Sequence, residues 1–253
     1  MGDIVGRPGR EIIARLVKDL KEEEKIDIVV ANGENAAGGS GLTPRLTEEL
    51  LSSGIDVLTS GDHIWKKKEV YALLDSSKKL IRPANYPPGA PGNGYTIVDV
   101  PGKAKIAIVN LIGRVFMEAV DCPFQTVRKL LREIEKQAKV IIVDVHAEAT
   151  SEKVALGWFL DGKVSAVMGT HTHIQTADEK ILPKGTAYIT DCGMTGPYDS
   201  VIGRTKERVI ERFISQLPNK FDMATDGVEM HGVIIDIDDN TGKASGIQRI
   251  QKK

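Results

Sequence analysis

Short apolar runs recur along this chain, and each stops in a polar cluster. Residues 26–31 run into G-E-N at Gly33–Asn35, and 57–60 into G-D-H at Gly61–His63. Residues 140–145 end in D-V-H at Asp144–His146, and 164–168 in G-T-H-T-H at Gly169–His173. A fifth cluster, Gly2-Asp3, opens the chain. Runs of this length read as buried strands, and amphipathic stretches lie between them. That alternation leaves few solutions other than a layered α/β fold with parallel sheet.

The intervening segments carry helix signals. Thr43 reads as an N-cap with Pro44 at the first helical position, and Leu46, Leu50 and Leu51 mark one face. Further helices are expected over 66–74 and 124–137, and a further buried strand over 106–111. The last third differs. Residues 186–190, 228–237 and 244–250 look like successive strands, with a turn at Asp239-Asn240-Thr241-Gly242. They predict a second sheet or antiparallel additions. A single domain over 1–253 is the simplest account.

A formal net charge of -1 supplies no general footprint for nucleic acid or an anionic membrane. No apolar run is long enough to span a bilayer. Cys122 and Cys192 show no paired spacing and read as two reduced thiols, with Cys192 packing rather than reacting. No leader or lipidation motif follows Met1, so a cytoplasmic location is expected.

Four of the five histidines sit in the polar clusters. In an extended segment residues i and i+2 face one side, so His171 and His173 are expected to address one place. With Asp3, Glu34, Asp62 and His146 they make up oxygen and imidazole donors without thiolate, a set suited to manganese, iron or zinc. Two adjacent ions sharing a carboxylate favour phosphoryl-ester chemistry. His63, next to Asp62, is expected to reach over the substrate and protonate a leaving alkoxide. His231, in strand-like surroundings, reads instead as a hydrogen-bonded core histidine. Gly38, Gly39 and Gly41 match no nucleotide-loop spacing and read as a loop bordering the site. Arg7 is read equally as a solvated side chain or a phosphate contact.

With these residues assembled, the chain resembles the YmdB-type branch of the calcineurin-like metallophosphoesterases. The carrying segments are G-D-I-V-G-R-P-G, N-G-E-N-A-A-G-G-S-G-L-T, S-G-D-H-I-W, R-P-A-N-Y-P, D-V-H-A-E-A-T-S-E-K, G-T-H-T-H-I-Q-T-A-D and D-C-G-M-T-G-P-Y-D. The resemblance implies a four-layered α/β/β/α sandwich, two iron- or manganese-type ions, and a homo-oligomer. It also implies a phosphodiesterase of 2′,3′-cyclic nucleotides working by metal-activated hydroxide attack. By position, Asp3, Glu34 and His173 would hold one ion; Glu34, Asp62, His146 and His171 would hold the other. Asn35 falls on a family metal-site position and His63 on the proton donor.

Two departures stand out. The family places asparagine where this chain has Asp62, and the extra charge should tighten cation binding and change the metal preference. The family also has an apolar strand before G-D, whereas Met1 directly precedes Gly2 here. The first strand is therefore expected to be missing, leaving Asp3 on a fraying end. Together these motivate an alternative: a metal-binding regulatory protein with little or no turnover.

Overall fold

The computed structural model describes residues 1–253, and its strands form two six-stranded sheets. The first contains β1 (Asp3–Ile4), β2 (Val30–Asn32), β3 (Val57–Thr59), β10 (Met194–Pro197), β11 (Val228–Ile237) and β12 (Ala244–Lys252). Its spatial order is β12-β11-β10-β1-β2-β3. The second contains β4 (Tyr95–Val98), β5 (Ile106–Ile112), β6 (Val140–His146), β7 (Ala166–Thr170), β8 (Lys180–Ile181) and β9 (Ala187–Ile189). It runs β4-β5-β6-β7-β9-β8, with β5, β6, β7 and β9 parallel.

Strand alternation divides each sheet's side chains between two cores. On β6, Val140 and Ile142 join Val30, Val57, Ile106 and Ile108 in a cluster shared by the two sheets. Ile141, Val143 and Val145 face the other way, against α4 (Pro123–Ile134) and α5 (Thr150–Leu160). Across the first sheet, Ile4, Ala31 and Leu58 pack against α1 (Gly6–Glu23) and α2 (Pro44–Ser52). The layers are thus α/β/β/α. Each of these buried Val, Leu or Ile side chains contributes roughly 1.5–3 kcal/mol relative to leaving it exposed.

The same alternation positions the chemistry. Counting two residues on from the intersheet apolar positions reaches Asn32 on β2, Thr59 on β3, and Asp144 and His146 on β6. The intersheet core therefore turns polar towards the carboxyl ends of the parallel strands. Register keeps those ends level: Asp3 pairs with Asn32, Asn32 with Thr59, Ile112 with His146, and His146 with Thr170.

Of the first strand only two residues are present, β1 at Asp3 and Ile4. Asp3 and Ile4 pair in parallel with β10, Asp3 pairs with Asn32 of β2, and the Met1 ammonium donates to Val30 O at 2.7 Å. Asp3 N–H donates to Gly193 O at 3.1 Å and Gly2 N–H to His231 O at 3.2 Å. Asp3 is completely buried. It does not sit on a fraying end.

Other differences are local. The strand expected over 26–31 begins only at Val30, because Val29 N–H is taken by the Asp56 side chain at 2.8 Å. The helix expected over 66–74 is two 3-10 turns, Asp62–Lys66 and Lys68–Val70, followed by α3 (Tyr71–Ser76). Thr43 caps α2 as expected, accepting from Leu46 N–H at 3.3 Å. In the last third, β11 and β12 extend the first sheet as antiparallel additions through β10, whereas β9 joins the second. The excursion between β10 and β11 holds α6 (Lys206–Ser215).

Candidate metal centre

Glu34, Asp62, His146 and His171 each present a donor atom within 4.8 Å of the others. His146 Nε2 lies at the centre, 3.0 Å from Glu34 Oε1, 3.4 Å from Asp62 Oδ1 and 3.0 Å from His171 Nδ1. Asp3 and His173 stand alongside: Asp3 Oδ1 is 3.9 Å from His146 Nδ1 and 3.9 Å from His173 Nε2. Four of the six expected ligands thus form one tight group, and the other two border it.

Each of the three imidazoles has one ring nitrogen tied off. His146 Nδ1 lies 3.0 Å from Thr170 Oγ1, whose own hydrogen goes to Asp144 Oδ1 at 2.8 Å. Thr170 Oγ1 can thus accept from Nδ1–H, and Asn32 Nδ2 lies 3.2 Å from the same nitrogen. His171 Nε2 faces Glu148 Oε2 at 3.1 Å, and His173 Nδ1 donates to Ile202 O at 3.1 Å. The remaining nitrogens, Nε2 of His146, Nδ1 of His171 and Nε2 of His173, are turned towards the carboxylates, and His173 Nε2 also lies 3.2 Å from Asn35 Nδ2. Fixing one nitrogen to free the other is how proteins prepare histidine for a metal.

Two buried carboxylate oxygens, Asp3 Oδ1 and Asp62 Oδ1, have no hydrogen-bond partner. Gly61 leaves no room for a side chain: a Cβ there would lie 2.2 Å from His146 Nε2 and 2.5 Å from Glu34 Oε2. Orphaned acceptors, inward-facing imidazole nitrogens and this close backbone approach fit a cation held by oxygen and nitrogen donors.

The electrostatics reflect the negative charge gathered around His146. Burial acts to lower the His146 pKa, but Glu34, Asp62 and Asp3 outweigh it and push it well above the usual value. Burial would raise Glu34 and Asp62, yet both lie below the carboxylate range because of His146. Asp3 is pushed up by burial. Burial also pushes Asp144 up to about 6 against the opposing bonds from Thr59 and Thr170. The cluster draws positive charge to its centre.

The T-H-T-H segment reaches this place by a different route from the one expected. The strand β7 ends at Thr170, and His171 and His173 have φ of 99° and 65°, so they sit in left-handed turns rather than extended chain. Asp191 holds the turn, accepting from Thr172 N–H at 3.1 Å and from its hydroxyl at 2.7 Å. Asp191 is itself paired with buried Lys153 at 2.7 Å. On the other side, Asp3 Oδ2 accepts His171 N–H at 3.0 Å.

His63 is partly exposed beside the group. Its backbone N–H donates to Glu34 Oε2 at 2.9 Å, and its Nδ1 lies 2.9 Å from Asn35 Oδ1. Asn35 Nδ2 is 3.2 Å from His173 Nε2, so this amide links His63 to the outer histidine. His231 is a buried, hydrogen-bonded histidine, 2.7 Å from Tyr198 OH and 2.9 Å from Glu229 Oε2. Cys122 and Cys192 are free thiols, and burial pushes Cys192 up to about 12. Gly38 and Gly39 lie under Arg204, which donates to both carbonyls, and Arg7 pairs with Glu11 on an exposed helix face.

Sequence reasoning passed over the groups that aim the ligands: Asn32, Thr59, Asp144, Thr170, Glu148, Lys153 and Asp191. Strand periodicity applied backwards from His146 finds Asp144. The same step of two from Val30 and Val57 reaches Asn32 and Thr59, and nothing local marks the rest.

A two-sheet α/β/β/α sandwich with a carboxylate–histidine group at its strand ends defines the metallophosphoesterase-like class. The chain matches the family described as YmdB-like protein over residues 1–250, and it belongs to that family. It is 51% identical over 250 residues to a Bacillus subtilis protein named 2′,3′-cyclic-nucleotide 2′-phosphodiesterase, covering 99% of this chain and 94% of that one. Among solved structures, a hypothetical protein of Thermus thermophilus superposes with a TM-score of 0.92 at 42% identity, over 99% of this chain and 96% of that one. A Mycoplasma pneumoniae structure described as a novel phosphatase gives 0.93 at 36% identity, over 99% and 90%. No helix here is long and apolar enough to cross a membrane.

Proposed function

We propose that this chain is a metal-dependent phosphodiesterase whose substrates are 2′,3′-cyclic nucleotides. The observation that carries the reading is the set of three histidines, each with one nitrogen tied off and the other turned towards unpartnered carboxylate oxygens. The relative's activity supplies the substrate class. Asp3, Glu34 and His173 would hold one ion, and Glu34, Asp62, His146 and His171 the other, with Asn35 at their edge. Donors of this kind suit iron or manganese and are compatible with zinc.

Two bound ions would activate a water for attack and offset the charge that builds on phosphorus. The chain's own groups do the rest. Asn35 fixes His63 through Nδ1, leaving Nε2 to carry a proton. As the water oxygen bonds to phosphorus and the bond to the ribose oxygen breaks, His63 delivers that proton to the departing oxygen. Glu148, Thr170 and Ile202 hold the other imidazoles in place, so little reorganisation accompanies reaction.

The alternative, a regulatory metal-binding protein with little turnover, drew on a missing first strand and on Asp62. With Asp3 locked in β1, only Asp62 still favours it. The deciding experiment measures bound metal and then assays 2′,3′-cyclic AMP, bis-p-nitrophenyl phosphate and p-nitrophenyl phosphate. Metal-dependent turnover of the diesters ahead of the monoester is expected. Stoichiometric metal without diester turnover overturns the enzymatic reading.

Self-association has a surface on α6 and the residues just after it. Ile210, Phe213, Ile214 and Leu217 are 52%, 72%, 79% and 66% exposed and follow helical spacing. They expose on the order of 500 Å² of apolar surface, a large share of the roughly 800 Å² each partner buries in a stable dimer. A second copy of this chain fits this surface by its area and apolar character. Sedimentation should give an oligomer that Phe213→Glu converts to monomer; a monomeric parent protein overturns the assignment.

A further inference from the structure

The segment 113–122, between β5 and α4, carries an aromatic residue that the fold does not use. Phe116 is 89% exposed, and its φ is 63°. A bulky side chain in the left-handed region is a true outlier, and such strain persists only where the surroundings impose it. An exposed aliphatic or aromatic residue is ordinary by itself. Exposure joined to backbone strain is not, because the chain bears both costs and gains no burial in return.

The contacts that hold this segment begin at the backbone of His146. Ile112 is in register with His146, and the next residue, Gly113, donates its N–H to His146 O at 2.9 Å. A Cβ on Gly113 would lie 2.5 Å from Glu152 Oε2 and 2.6 Å from Ala147 Cβ, so only glycine allows this approach. Buried Glu152 then accepts the N–H groups of Arg114 and Val115 at 3.0 and 3.2 Å. Met117, immediately after Phe116, donates to Arg114 O at 3.3 Å and packs against the second sheet's core. At the far end, Asp121 N–H donates to Asn85 O at 3.0 Å, and Asn85 Nδ2 returns a bond to Asp121 O at 3.0 Å.

Phe116 is therefore held from both sides and lies three residues beyond Gly113. Its Cα is within about 10 Å of a backbone bonded to the central histidine. In a 2′,3′-cyclic nucleotide the base stands one ribose away from the reacting phosphorus, a span that fits this reach.

We propose that Phe116, with half-exposed Val115 beside it, is the stacking platform for the nucleobase of the substrate. The proposal rests on the phosphodiesterase reading and deepens it, by placing a base subsite on 113–117 where the metal ligands define only a phosphate subsite. Stacking on a π-face is tolerant of base identity, so the subsite selects nucleosides over other diesters rather than one base over another.

The test compares 2′,3′-cyclic AMP with the 2′,3′-cyclic phosphate of methyl β-ribofuranoside, which lacks a base. In metal-loaded Phe116→Ala, the ratio of kcat/KM for the nucleotide over the abasic diester should fall about tenfold, carried by KM. Phe116→Trp should restore the ratio. An unchanged ratio in Phe116→Ala, or equal loss on both substrates, overturns the proposal. Calorimetric binding of adenosine 2′-monophosphate against ribose phosphate reads stacking without turnover. If no diester is hydrolysed, the phosphodiesterase reading fails, and the binding arm still decides Phe116. Loss of the nucleotide preference in Phe116→Ala supports the platform; no such preference in the parent protein overturns it.

Discussion

Thr59 on β3 donates its hydroxyl proton to Asp144 on β6, joining the two sheets directly beneath the metal centre. Asp144 also accepts from Thr170, which lies against His146, so a hydroxyl on one sheet helps to aim a candidate ligand on the other. Thr59→Val keeps the shape and removes the donor, leaving a buried carboxylate oxygen unsatisfied. Urea unfolding should show a loss of about 1–3 kcal/mol. Metal affinity should fall with it, whereas a purely structural bond would leave affinity at the parent value.

Gly61→Ala should separate folding from metal binding. The added methyl would occupy the space between His146 and Glu34, where only hydrogen now fits. Elemental analysis should find the metal largely lost and diester turnover down by about two orders of magnitude or more. Far-UV circular dichroism should match the parent.

Asp62 is the proposed ligand at which this chain departs from its resemblance. Asp62→Asn removes a negative charge 3.4 Å from His146 Nε2 while keeping a carbonyl oxygen. Looser metal binding and a changed preference among manganese, iron and zinc are expected. Identical metal content and turnover would show that the charge is immaterial.

The proton-donor role of His63 predicts a dependence on the leaving group. His63→Gln should lower kcat on 2′,3′-cyclic AMP by about 10²–10⁴, because a ribose alkoxide needs protonation. On bis-p-nitrophenyl phosphate the loss should be far smaller, since nitrophenolate leaves unaided. Equal losses on both substrates, with metal retained, would assign His63 to orientation instead.

Away from the centre, Asp178 gives a pH signature. Burial acts to raise its pKa, but bonds from Thr176 and Thr190 outweigh this and hold it below the ordinary value of 3.8. A depressed folded pKa contributes stability that is complete above the unfolded value and is lost as pH falls through the folded one. Asp178→Asn should therefore cost about 1 kcal/mol at pH 7 and progressively less below about pH 4. Thermal melts across that range give the curve; a constant difference would contradict it.

Two strands were legible because they are fully buried runs, 106–111 and 140–145, and half-buried 228–237 was legible beside its turn signal; all three agree with β5, β6 and β11 to within a residue. The ligand types were legible because each cluster ends such a run. Less could be read where tertiary partners replace local signals. Val29 gives its N–H to a side chain instead of a strand, and the left-handed turns at His171 and His173 are imposed by Asp191, which pairs with Lys153 nearly forty residues earlier. The two-residue β1 carries too little pattern to announce itself, yet it places Asp3 in the middle of a sheet.

On β6, Val140 and Ile142 share a face with Asp144 and His146. Slipping this strand by one residue would expel the apolar pair from between the sheets and turn the histidine away from its partners. Correct pairing and a competent centre are thus a single event. Bound metal would report on strand alignment during refolding, and a misaligned yet active population should not accumulate.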